Sequence, residues 1–244
     1  MDYQWNWAIF SQETAMGDGS TYWGWMLAGL KMTLTISLSA WVLALALGTV
    51  VGVLRTVPSR GLQRVATAYV EVLRNIPLLV QLFIWYFIVP ELLPTAWGDT
   101  IKQWPPEWQQ LGAAIICLGL FTSARVAEQV RAGIQSLPVG QTRAALALGL
   151  SLPQAYRLVL LPMAFRLVVP PLTSEFLNVF KNSAVCSTIG LLELAAQGRQ
   201  LVDYTAQPYE AFIAVTLMYL LINVVVMGLM HLLERKVKVQ GYLG

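Results

Sequence analysis

The chain has 244 residues, of which 57% are hydrophobic and only 12% charged, with a formal net charge of +3. Soluble domains carry about 25% charged residues, so this composition excludes an ordinary globular protein and indicates a chain that crosses a membrane several times. One histidine, His231, and two cysteines outside any CxxC spacing, Cys117 and Cys186, argue against a metal centre or a disulfide framework; the cysteines read as small apolar side chains.

In chain order, Met1 to Tyr22 holds Asp2, Glu13 and Asp18 and no lysine or arginine. A secretory signal starts basic and turns apolar at once, so the first apolar stretch is expected to be retained. A membrane helix needs ~20 mostly apolar residues. Five stretches qualify: Met26–Leu54, Ala66–Val89, Leu111–Ala132, Leu158–Phe180 and Phe212–Leu233. The first and last are nearly pure. The middle three carry polar groups and are expected to face protein or a cavity. The fold class is therefore all-α, a polytopic bundle of five transmembrane helices. The bounds give an extracytoplasmic tail over 1–25, a transmembrane domain over 26–233 and a cytoplasmic tail over 234–244.

Basic residues mark cytoplasmic loops. One set of connections carries Arg55, Arg60 and Arg64, then Arg125, Arg131, Arg143 and Arg157, then Arg235, Lys236 and Lys238. The other carries only Lys102 and Arg199, beside nine acids that include Glu91, Glu193 and Glu210. The N-terminus is thus expected outside and the C-terminus in the cytoplasm. Trp5, Trp7, Trp23, Trp25, Trp97, Trp104 and Trp108 fall on the outer side, where amphipathic rings suit the headgroup layer.

Charge inside a span is expensive and marks function by default. In span four, Ser174, Glu175, Asn178, Lys181 and Asn182 recur at helical offsets after Pro170 and Pro171. Proline removes a backbone donor, and broken backbone at membrane depth is tolerated where it lines a cavity. This stripe is the candidate substrate path; the alternative is that Glu175 and Lys181 only tie spans together. In span two, Arg74 offers paired donors to a carboxylate, or neutralises Glu71 three residues earlier, or serves as a gate. Arg125 and Glu128 at the end of span three read as gate or inner-end structure. Arg166 reads either the same way or as an arginine reaching headgroups.

Between spans three and four lies RAALALGLSLPQAYRLVLLP, Arg143 to Pro162. Pro138 and Pro153 bracket an alanine-rich segment, about 139–153, expected to form a short surface helix. Its small side chains permit close approach of another backbone; the plain alternative is a connector. The run resembles the EAA loop of ATP-binding-cassette importer permeases: Glu-Ala-Ala, three residues, Gly, nine residues, Ile, one residue, Leu-Pro. Ala144, Ala145, Gly149, Val159, Leu161 and Pro162 occupy those places, with Arg143 at the glutamate position and valine for isoleucine. Tyr69–Phe87, Ala124–Gln141 and Phe176–Gly190 are similar to the polar amino-acid branch of these permeases. The WNW near the start and Pro90–Pro94 look closest to the glutamate/aspartate permeases.

The resemblance implies the type I importer fold and a bacterial inner-membrane location. It implies that the Arg143–Pro162 loop docks on a separate ATPase, and that the polar stretch of span four contributes to the amino-acid site. No cofactor is implied on this chain; ATP and magnesium would belong to a dimeric ATPase partner, consistent with the absence of GxxxxGK[ST] from the sequence. A second permease chain, related or identical, and an extracytoplasmic amino-acid-binding protein are the other implied partners, with no nucleic acid. The chain is expected to be no enzyme itself. A stand-alone secondary carrier or channel is the alternative, although neither an inverted repeat nor a pore ring is visible. An embedded enzyme lacks a paired nucleophile and base.

Overall fold

The structure is a computed structural model that describes residues 3–17 and 19–237. Asp2, Asp18 and Lys238, counted above in the charge pattern, and the tail beyond 237 lie outside the described residues. Helices dominate: α1 (Tyr22–Leu54), α2 (Arg60–Asn75), α3 (Leu78–Phe83), α4 (Val89–Leu92), α5 (Thr95–Lys102), α6 (Pro106–Gln135), α7 (Val139–Ala147), α8 (Leu152–Ala155), α9 (Leu161–Asn182), α10 (Leu194–Thr205) and α11 (Pro208–Val237). Single π-helical turns at Ile84–Ile88 and Tyr156–Leu160 join α3 to α4 and α8 to α9.

Among the described residues, four helical rods are long and apolar enough to span a membrane: Tyr22–Leu54, Pro106–Gln135, Leu152–Ile189 and Pro208–Val237. They lengthen the expected spans one, three, four and five at one or both ends. Span two is different. The expected continuous stretch Ala66–Val89 is a pair of segments, Arg60–Asn75 and Leu78–Leu92, bent by 103°. The cause is local. Ile76 adopts extended backbone (φ −93°, ψ 128°) before Pro77, because proline disfavours helical backbone in the residue that precedes it. Pro170 and Pro171, by contrast, do not break α9, which runs through both. The expected break at that depth is absent; each proline removes only one rung of the helical ladder.

The chain divides into two compact units, each assembled from three separated segments. Unit 1 takes Met1–Ala40, Leu78–Leu118 and Val179–Val225. Within it, Gly29 of α1 lets α10 approach closely: a Cβ there would lie 2.9 Å from the Leu194 Cα. Next to that contact, Thr33 Oγ1 accepts the Leu194 amide at 3.1 Å. Trp25 packs edge-on against Tyr204, and the Asn6 amide donates to Glu210 Oε1 at 2.6 Å. Thr33 and Ser37 are fully buried, so the first span is less pure on its packed side than its average suggests.

Unit 2 takes Trp41–Pro77, Gly119–Asn178 and Val226–Gly244. Gly48 and Gly52, one turn apart on α1, form a notch against Val126 and Val130 of α6. A Cβ at Gly48 would come within 2.6 Å of Val126 Cβ and 2.7 Å of the Ser123 carbonyl. Such small-xxx-small spacing lets membrane helices pack backbone to backbone. Tyr69 of α2 meets Ser123 of α6 at 2.7 Å, hydroxyl to hydroxyl, and Val70 of α2 is buried against Ala124 and Ala127. Trp41 stacks on Phe176 of α9 with ring centroids 4.7 Å apart.

Candidate coupling surface and arginine–carboxylate cluster

The expected surface helix over 139–153 is shorter in the structure: α7 covers Val139–Ala147, with Pro138 immediately before its first residue. Its end explains the glycine of the motif. Gly149 sits at φ +83°, the Gly149 amide bonds the Leu146 carbonyl at 3.0 Å, and the Leu150 amide bonds the Ala145 carbonyl at 3.2 Å. This is a Schellman stop, and glycine takes the left-handed position without steric cost. A Cβ on Gly149 would meet nothing within 4 Å, so within this chain the residue answers to the turn and not to packing.

The two motif alanines diverge. Ala145 is buried against its own chain, whereas Arg143 and Ala144 are exposed. Three apolar side chains are exposed beside Arg143: Val139 at 65%, Leu146 at 44% and Leu148 at 83%. The alanine-rich pattern that predicts the helix gives no sign of the knob that Leu146 and Leu148 make with Val139. Leu161 and Pro162 stand at the start of α9. Tyr156, in the π-turn before it, donates to Thr56 Oγ1 at 3.1 Å and pins that turn within unit 2.

Three arginines converge on Glu128. Arg55 Nη1 lies 2.8 Å from its Oε1, Arg74 Nη1 3.1 Å from the same oxygen, and Arg131 Nη2 2.9 Å from Oε2. Arg131 also reaches Gln135 Oε1 at 2.7 Å. Arg125 stands 3.9 Å from Glu175 Oε2 and covers the Phe121 ring, 5.0 Å from its centroid. The glycine notch accounts for part of this geometry. Gly52 holds the end of α1 against α6, and Arg55, one turn further on, arrives beside Glu128.

Arg74 therefore pairs with Glu128, and the neutralising pair with Glu71 does not form; Glu71 is exposed and in no ion pair among the described residues. Arg55 was read from sequence only as a marker of the cytoplasmic side. A packing signal was available in Gly48-x-x-x-Gly52, but the partner helix was not. On α9, Glu175 is 9% exposed and its Oε2 has no hydrogen-bond partner. Ser174 and Asn178, in unit 2 with Glu175, are exposed and half-buried. Lys181, exposed, and Asn182, half-buried, belong to unit 1.

Unit 1 holds two fully buried carboxylates that sequence reading counted only as outer-side acids. Glu193 caps α10, accepting the Ala195 and Ala196 amides at 3.0 and 2.8 Å and the Tyr219 hydroxyl at 2.9 Å. Burial pushes the Glu193 carboxyl above the usual carboxylate range, against the hydrogen bonds that favour its charged form. Glu210 accepts the Asn6 amide and the Tyr3 hydroxyl. Their place beside helix starts was the available signal, since acids satisfy free amides there.

Helices long and apolar enough to span a membrane, with a short exposed helix between two of them, make this a membrane-spanning helical protein. The family described as binding-protein-dependent transport system inner membrane component matches residues 44–239. The chain belongs to this family. It is 53% identical to the glutamate/aspartate import permease protein GltJ of Escherichia coli strain K12, over all of this chain and 99% of that one. It is 34% identical to the probable glutamine ABC transporter permease protein GlnM of Bacillus subtilis strain 168, over 86% of this chain and 92% of the relative. Among solved structures, an amino acid ABC transporter crystallised with histidines matches with a TM-score of 0.74 and 30% identity, over 88% of this chain and 95% of that one. The MetNI methionine ABC transporter in an inward-facing form shares the fold, with a TM-score of 0.74 at 23% identity, over 88% of this chain and 97% of that one.

Proposed function

We propose that this chain is the permease subunit of an ATP-driven importer for glutamate and aspartate, and that it docks on a separate ATPase through the tip of α7. The observation that carries the coupling part is the exposed apolar knob of Val139, Leu146 and Leu148 on a helix closed by a glycine stop. Apolar side chains exposed together on one short helix form the kind of patch that marks a protein interface. The full-length likeness to a glutamate/aspartate permease supports the substrate class. ATP and magnesium bind the ATPase dimer and not this chain. A second permease chain completes the path, and an extracytoplasmic binding protein delivers the amino acid. The excess of arginine and lysine in alternate loops supports an outside N-terminus and a cytoplasmic C-terminus.

In this reading Ser174, Glu175, Asn178, Lys181 and Asn182 line the substrate path with Glu71 and Arg74. The Glu175 Oε2 atom, which has no hydrogen bond and Arg125 only at 3.9 Å, suits an amino group. Arg74 suits the side-chain carboxylate of an acidic amino acid. Arg125 and Glu128 form the gate, with Arg55 as its third member. Binding at a fixed site with alternate opening to either side is general transporter logic.

The test is Leu148→Asp, at a side chain that is 83% exposed. The variant is expected to reach the membrane in normal amount, to lose the ATPase from a mild-detergent pull-down, and to lose glutamate uptake. Normal uptake with the ATPase retained refutes the docking reading. Gly149→Ala is a milder arm: an alanine in left-handed backbone costs about 1 kcal/mol locally. It is expected to slow uptake, while Gly149→Asn, which tolerates that backbone, restores most of the rate.

A further inference from the structure

We infer that unit 2 carries a binding site for the phosphate headgroup of an anionic phospholipid, built by Arg166 and Lys236. A cavity of about 430 Å³ is lined by Pro162, Phe165 and Arg166 of α9 and by Lys236 and Val237 of α11. The three α9 residues recur at offsets of three and four and so share one helical face. The two cations come from different helices and open into the same space.

Both side chains are exposed, and among the described residues neither takes part in an ion pair. The carboxylate nearest in sequence, Glu234, is engaged elsewhere: Thr173 Oγ1 donates to it at 2.8 Å. Two uncompensated cations around one cavity call for an anion. The remaining wall is apolar, with Phe165 52% exposed at its edge. A small inorganic anion gains nothing from phenylalanine, proline and valine. A phospholipid uses both halves of the wall, its phosphate between Arg166 and Lys236 and its glycerol and first methylenes along Phe165. Arginine reaching from a span to the headgroup layer is the usual behaviour of a long cationic side chain, and basic pockets between membrane helices hold anionic headgroups. Neither cation belongs to the α7 knob; of the lining residues only Pro162 is shared with the coupling loop.

The experiment is native mass spectrometry of the full chain, purified in mild detergent with the partners it retains. The probes are phosphatidylglycerol, phosphatidylcholine and inorganic phosphate. The chain is expected to hold phosphatidylglycerol in preference to phosphatidylcholine. Arg166→Gln and Lys236→Gln are each expected to lower occupancy about fivefold, and together about thirtyfold. Arg166→Lys combined with Lys236→Arg, which keeps both charges, is expected to retain binding. Arg60→Gln, an exposed cation on α2, is expected to change nothing. Equal retention of phosphatidylcholine, or equal loss in Arg60→Gln, overturns the site. Displacement of the lipid by millimolar inorganic phosphate overturns the lipid assignment and leaves a soluble-anion site.

Discussion

In unit 1, Glu193 takes its hydrogen bonds from two backbone amides and a tyrosine hydroxyl, and Glu210 from a backbone amide and a tyrosine hydroxyl. In unit 2, Glu128 meets three guanidinium groups and Glu175 faces a fourth at the limit of ion-pair distance. The first arrangement is built from neutral donors that belong to fixed backbone and to two tyrosine rings. The second is built from long cations that exchange partners by rotating a few bonds. Neutral capping suits a static joint. An arginine excess around two carboxylates suits a place that must open, and it also draws an anionic solute. A buried charge stripped of its partner is costly whichever way it is held, so the two units differ most in what happens when a charge is removed and the shape is kept.

The largest expected effect follows from that difference. Glu128→Gln leaves Arg55, Arg74 and Arg131 facing a neutral amide, and is expected to destabilise the chain by about 3 kcal/mol. Thermal unfolding of the purified full chain measures it, and uptake is expected to fall with it. Glu193→Gln keeps an acceptor for only one of the two amides, which bond different carboxylate oxygens, and is expected to cost about 1–2 kcal/mol, with uptake largely kept. Equal losses in the two variants erase the contrast between the units. The smallest effect is expected at Arg74, whose side chain is half exposed. Arg74→Gln is expected to change stability by about 0.5 kcal/mol or less while raising the KM for glutamate uptake. An unchanged KM assigns Arg74 to the Glu128 cluster alone.

Much of this was legible in the residues. The apolar stretches carry a length signal that only a bilayer explains, and the Ala-Ala-x-x-x-Gly spacing marks a helix with its stop. The break of span two was also within reach, since Pro77 stands in the middle of it. Pro170 and Pro171 show why such a reading is not enough: the same residue type breaks one helix and passes through another. Neighbouring packing decides whether a missing rung is tolerated, and packing is not written in the local sequence.

The sequence by itself determined the class of the protein, the number of its apolar segments, the place of the surface helix and the charge pattern of its loops. These depend on composition and on spacing along one helix, which are local quantities. Tertiary structure alone decided that Arg74 turns to Glu128 and not to Glu71, that Arg55 joins them, and that Ala145 faces inward while Leu148 faces out. It also decided that Glu193 is a buried helix cap, that Glu210 is buried against Asn6 and Tyr3, and that Arg166 and Lys236 share a cavity. Each of these joins residues far apart in sequence, 54 positions for Arg74 and Glu128 and 70 for Arg166 and Lys236, or turns one face of a helix against a neighbour. Such a choice is made by helix packing, where glycine notches and bulky valines set the distance between backbones, and no single segment contains it.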